Sequence, residues 1–116
     1  MTSKIQTGSS GEDIATKYLQ EQGFTIVTRN FRTKVGEIDI IAQKGNKLHF
    51  VEVKARTSDI KGQPYEAVNR RKVEHLKKAA HIYLLQNKNQ GLILSIDVIS
   101  VRLDLGTLDY FEGVEI

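Results

Sequence analysis

The chain has 116 residues, 17 of them Lys or Arg against 14 Asp or Glu, and no cysteine. That length suits one domain spanning 1–116, which buries about two-thirds of its unfolded surface without staples. The lack of cysteine excludes disulfides, thiolate metal sites and thiol catalysis. Met1-Thr2-Ser3-Lys4 leads into no apolar run of membrane-spanning length, which points to a cytoplasmic protein with no membrane partner.

The net charge of +3 is unevenly spread. Residues 54–81 carry eight basic and three acidic side chains, net +5, whereas residues 97–116 carry one Arg against five acids, net −4. A basic excess of this kind suits a polyanionic partner, although a charge run is most often a solvated helix face.

Residues 1–8 show no periodicity and read as a loose arm. Ser9 or Ser10 can cap a helix from Gly11 to Gln22, with Glu12 and Asp13 in its first turn and Gly23 ending it. Residues 24–31 read as a strand. Residues 55–65 form a polar loop containing Pro64, and the helical pattern then runs from Tyr65 to Asn87. Val68, Val73, Leu76, Ala80, Tyr83 and Leu84 make its core stripe, with Arg70, Arg71, Lys77 and Lys78 outside. His75 and His81 are six apart, the wrong spacing for one metal, and His49 reads as a packed strand residue. Residues 92–101 and 108–111 complete the strands. The order αβββαββ predicts an α/β domain with a central mixed sheet flanked by helices.

Between the first strand and the polar loop lie two apolar runs, 36–42 and 50–54, around Gln43-Lys44-Gly45-Asn46. A two-residue turn at Gly45-Asn46 pairs Lys44 with Lys47, so paired numbers sum to 91. Asp39 then opposes Glu52, and Glu37 opposes Lys54, while Ile38, Ile40, Val51 and Val53 share the other face. Two opposed carboxylates repel unless a cation or a shared proton intervenes. A hard cation such as Mg²⁺ or Mn²⁺ fits that demand, and Lys54 could orient or deprotonate a water beside it. The bland alternative is a cross-strand ion-pair ladder. No Walker loop, dinucleotide-binding glycine turn, His-Glu-x-x-His zinc motif or nucleophilic triad is present.

Asp39, followed thirteen residues later by Glu52-Val53-Lys54, resembles the signature of the PD-(D/E)XK nuclease superfamily, which includes archaeal Holliday-junction resolvases. Gly8-x-x-Gly11-Glu12, residues 36–42, residues 50–56 and Glu66-Ala67-Val68 resemble more closely the bacterial YraN family, which is regarded as endonuclease-like. The resemblance implies a restriction-endonuclease-like αβββαβ core. It also implies Mg²⁺ or Mn²⁺ held by Asp39, Glu52 and the Val53 carbonyl, with Glu12 reaching the ion through water and Lys54 as the catalytic lysine. Ile38 stands where the superfamily signature has proline. Glu37 has no transferable role, and pairing with Lys54 is the expectation for it.

The leading expectation is a metal-dependent endonuclease acting on DNA, branched or structured DNA included, with RNA left open as substrate. Arg56, Lys61, Gln63, Tyr65, Arg70, Arg71 and Lys72 are the expected nucleic-acid contacts. The resolvase resemblance implies a homodimer, and an unidentified protein partner stays open. The rival readings are a non-catalytic nucleic-acid-binding module of the same fold and an interaction protein with a structural ion-pair network.

Overall fold

In a computed structural model of the protein, the described residues are 7–57, 70–88 and 91–114. The elements follow the expected order: α1 (Thr7–Glu21), β1 (Thr25–Thr33), β2 (Gly36–Lys44), β3 (Lys47–Arg56), α2 (Arg70–Gln86), β4 (Ile93–Arg102) and β5 (Thr107–Phe111). They build a five-stranded sheet in the order β1-β2-β3-β4-β5. Only β3 and β4 are parallel, and α2 lies in the crossover between them. Lys61, Gln63, Tyr65 and Val68 lie outside the described residues.

The hairpin has the predicted register from its turn as far as Ile40 and Val51, but the ladder does not reach the expected Asp39–Glu52 and Glu37–Lys54 pairs. Lys44 pairs with Lys47 and Ile40 with Val51, around a turn in which Gly45 takes φ 61°. Each face of the sheet carries one helix. Ala15 and Leu19 of α1 are buried with Ile40, Ala42, Val51 and Ile99. Leu76, Ala79, Ala80 and Tyr83 of α2 are buried with Ile41, Leu48 and Phe50 on the other face. The predicted α2 stripe is therefore the buried one, and Arg70, Arg71, Lys77 and Lys78 are exposed.

Two expectations need correction. Helix α1 begins at Thr7, so Thr7 and Gly8 belong to it rather than to a loose arm. Glu12 and Asp13 consequently lie beyond the first turn, where the helix dipole no longer accounts for them. The helix also approaches the sheet closely at Gly11. A Cβ on Gly11 would stand 2.6 Å from the Ala55 Cβ, so glycine lets the helix lie directly on β3.

The second correction concerns Ile38, which packs against α2, while Ile40 packs against α1. A regular strand sends residues i and i+2 to the same face. The pleat therefore breaks at Asp39. Facing it in β1, Asn30 has φ 55°, the one positive value for a non-glycine among the described residues. The pairs Arg29–Ile40 and Phe31–Ile38 bracket Asn30 and Asp39. Arg29 bonds to α1, whereas Phe31 meets the Tyr83 ring at 5.3 Å on the α2 side.

At the other end of β3, His49 is a packed strand residue, as expected. Its Nδ1 lies 2.6 Å from Asp97 Oδ2 of β4. Ser95 Oγ (2.6 Å), Tyr110 Oη (2.5 Å) and the Gly113 N–H (3.0 Å) also donate to Asp97. Burial alone would raise the Asp97 carboxyl, but these four donors hold it below the usual carboxylate range.

Gly11→Ala should cost about 1–3 kcal/mol, the usual scale of overpacking. Adding Ala55→Gly should return part of the loss, because it removes the methyl group that the new Cβ would strike. Urea denaturation of the single and double variants checks this; additive losses would count against the contact.

Candidate functional site

The β2–β3 ladder ends at Ile40–Val51. Beyond it the Val53 N–H donates to Asp39 Oδ2 at 2.7 Å, so a side-chain carboxylate takes the place of a backbone acceptor. In an extended strand the N–H and C=O of one residue point to the same edge, so the Val53 carbonyl faces the same gap. Glu52 follows Phe50 on the α2 face and is buried. Its Oε2 is 3.1 Å from Lys72 Nζ and 3.9 Å from Lys54 Nζ. Of the two lysines, Lys54 is the one drawn below the ordinary lysine range, first by the Lys72 amine beside it and then by burial.

Glu12 approaches from α1, where Arg29 Nη2 meets Glu12 Oε1 at 3.5 Å and Asp13 Oδ1 at 3.0 Å. Glu37 pairs with Arg32, Nε to Oε2, at 3.3 Å. It does not pair with Lys54: the ladder stops before Glu37, and Lys54 turns to Glu52. With its amide nitrogen turned toward the acids, Asn30 donates 3.1 Å bonds to both Glu12 Oε1 and Glu37 Oε2. Asn30 is the residue that sequence reasoning missed. Its one signal is that asparagine tolerates a left-handed backbone better than most residues.

Burial, then the charge of Glu52, then those of Glu12 and Glu37 push the Asp39 carboxyl up to about 7, against the lowering effect of the Val53 N–H. A cavity of about 330 Å³ opens at the fork, lined by Gly36, Glu37, Asp39, Glu52, Val53, Lys72, His75 and Leu76. Lys72, expected only as a nucleic-acid contact, thus reaches the acidic centre. His75 joins it from one turn further along α2. Arg70 and Arg71 begin the same helix and are exposed, Arg56 ends β3 half-buried, and Lys61 and Gln63 lie outside the described residues.

Among the described residues no three carboxylate or imidazole groups close around one point. The donor set nevertheless fits a hard divalent ion, which commonly takes one or two carboxylates and fills its other positions with carbonyl or water oxygens. The structural sign of that fit is the cavity itself, which Asp39, Glu52 and Val53 line together with Glu37.

The profile of the uncharacterised protein family UPF0102, the YraN family, matches residues 11–101. The chain belongs to that family. The matched span runs from Gly11 to Val101 and includes Glu12, Asn30, Asp39, Glu52, Lys54 and Lys72. A UPF0102 protein of Clostridium kluyveri is 48% identical over 94 residues, 81% of this chain and 77% of the relative. One from Caldicellulosiruptor saccharolyticus is 41% identical over 102 residues, 88% of this chain and 86% of the relative. One from Thermotoga maritima is 40% identical over 103 residues, 89% and 91% of the two chains. Among the described residues of this UPF0102 chain, no helix is long and apolar enough to cross a membrane.

Between the ordinary value of 3.8 and about 7, native Asp39 keeps a proton that the unfolded chain has released. Stability from this group therefore falls as pH rises through that window and is level above it. In chelator, Asp39→Asn should be more stable than the wild type at pH 8 by about 1–4 kcal/mol, and close to it at pH 4. Urea titrations at the two pH values check this. An equal gap at both would remove the charge explanation.

Proposed function

We propose that the chain is a divalent-ion-dependent endonuclease acting on DNA, branched or structured DNA included. The observation that carries the reading is the forked strand pair, at which Asp39, Glu52 and Val53 line one cavity and the Lys54 ammonium lies 3.9 Å from the Glu52 carboxylate. Asp39, Glu52 and the carbonyl would hold Mg²⁺ or Mn²⁺, and Glu12 would reach it through water. Such an ion, when bound, lowers the pKa of an attacking water and offsets charge growing on phosphate.

The chain's own groups supply the rest. Lys54, whose ammonium form is disfavoured by the Lys72 amine beside it and by burial, is suited to exchange a proton with the attacking water. Lys72 and His75 face the same cavity from α2 and can meet phosphate oxygens. Arg70 and Arg71 extend the positive surface where a backbone would enter. RNA belongs among the substrates tested, since a 2′-hydroxyl is what lets a site tell RNA from DNA. A homodimer would present two such sites to a junction.

A second reading, a nucleic-acid-binding module without turnover, is favoured by one observation: the Lys72 ammonium already neutralises Glu52 at 3.1 Å. The interaction-protein reading keeps an ion-pair network with changed partners, Glu37 with Arg32 and Glu52 with Lys72 and Lys54 in place of Glu37 with Lys54.

The test is cleavage of labelled four-way-junction, flap, single-stranded and duplex DNA, with RNA counterparts, in Mg²⁺ or Mn²⁺ and in chelator. Lys54→Ala should lose roughly 10²–10⁴-fold in rate, and Asp39→Asn should lose ion-dependent cleavage. Cleavage unchanged in Lys54→Ala would reject the assignment. Salt-dependent binding with no product from the wild type would select the module. In either case Arg70→Ala/Arg71→Ala should lower the slope of log affinity against log salt by about two, since each phosphate neutralised adds roughly 0.9 to it.

A further inference from the structure

The acid centre has a support that neither the family match nor the nuclease signature assigns. Asn30 stands opposite Asp39, between the pairs Arg29–Ile40 and Phe31–Ile38, where Ile38 and Ile40 go to opposite faces of the sheet. Its left-handed backbone accompanies the reversal that puts Arg29 on the α1 side and Phe31 on the α2 side. Its carboxamide nitrogen reaches two carboxylates, Glu12 Oε1 from the helix and Glu37 Oε2 from β2, at 3.1 Å each. Both act electrostatically on Asp39.

Two carboxylates brought to one nitrogen would repel each other without it. The same two oxygens each meet an arginine, Glu12 Oε1 with Arg29 and Glu37 Oε2 with Arg32. The amide is the partner that the two acids share. Asparagine suits both demands: it tolerates positive φ, and its amide carries two N–H donors, one for each acid.

We propose that Asn30 is a positioning residue for the divalent ion, its amide holding Glu12 and Glu37 as one unit beside Asp39. This rests on the ion-dependent nuclease reading. It gives Glu37 a task, as the second acid that shares the Asn30 amide. Asn30 itself touches neither ion nor substrate. Groups of this kind, behind the ligands, typically change metal affinity by 10–100-fold when removed.

The experiment separates the backbone from the amide. Asn30→Gly keeps the left-handed conformation and removes the amide. Asn30→Asp keeps the side-chain size and tolerates the same backbone, but replaces the donor with a third carboxylate. For the wild type and both variants, thermal unfolding is followed in chelator and across a Mg²⁺ and a Mn²⁺ titration. The ion dependence of junction cleavage is measured alongside.

The expected result is that Asn30→Gly unfolds within a few degrees of the wild type in chelator. It should need at least tenfold more ion for half-maximal stabilisation and for half-maximal cleavage, approaching the wild-type rate at saturating ion. Asn30→Asp should need more ion still. Wild-type ion requirements in Asn30→Gly, or a loss of stability equal with and without ion, would overturn the proposal while leaving the nuclease reading intact. A wild type that neither cleaves nor is stabilised by either ion would defeat the nuclease reading, and this inference with it.

Discussion

The bond from the Val53 amide to the Asp39 carboxylate is the constraint around which the sheet is arranged. A β-ladder satisfies backbone groups with backbone groups, and two central strands have no ordinary reason to part. Here they part after Ile40 and Val51, and the carboxylate caps the amide that the gap would otherwise strand. The same gap opens the sheet to both sides. Glu12 reaches it from the α1 face, and Glu52, Lys54 and Lys72 reach it from the α2 face. A continuous sheet would keep these two sets of side chains in separate layers.

Holding the fork open requires rigid neighbours. Gly11 lets α1 lie on β3 with no side chain between, which fixes the height of Glu12 above the sheet. Gly36 does similar work for α2: a Cβ there would come within 3.3 Å of both the Cβ and the carbonyl oxygen of His75. Each helix therefore meets the sheet closely beside the residue it contributes to the centre. The buried clusters that include Leu19 with Ile40 and Val51, and Leu76 with Ile38 and Ile41, hold these approaches in place.

Much of this could be read from the chain before any fold was known. Gly45-Asn46 between alternating runs specifies a hairpin register, and that register marks Asp39, Glu52 and Lys54 as charges in strands that have no packing use for them. The limits of parity reasoning lie at Ile38. A period of two assumes an unbroken pleat, and nothing in the hydrophobic pattern of residues 24–33 shows that Asn30 turns left-handed. The start of α1 was hidden for another reason: Gly8, Ser9, Ser10 and Gly11 are poor helix formers, and it is contact with Ala55 that gives Gly11 its use. Lys72 illustrates the third limit. It is 20 residues from Glu52, and only the docking of α2 makes the two adjacent.

Strand β3 carries an opposite arrangement at its other end. There Asp97 is buried among His49, Ser95, Tyr110 and the Gly113 amide, which tie β3, β4 and β5 to one charged atom pair. Its lowered carboxyl supplies stability above the unfolded value of 3.8 and loses it as pH falls through the lower native value, whereas the crowded Asp39 is relieved by the first proton it gains. Acid thus acts on the two ends of one strand in opposite senses. Protonation relieves the carboxyl at the fork and weakens the one that ties β5 to β3 and β4, so one strand joins two centres that answer acid differently.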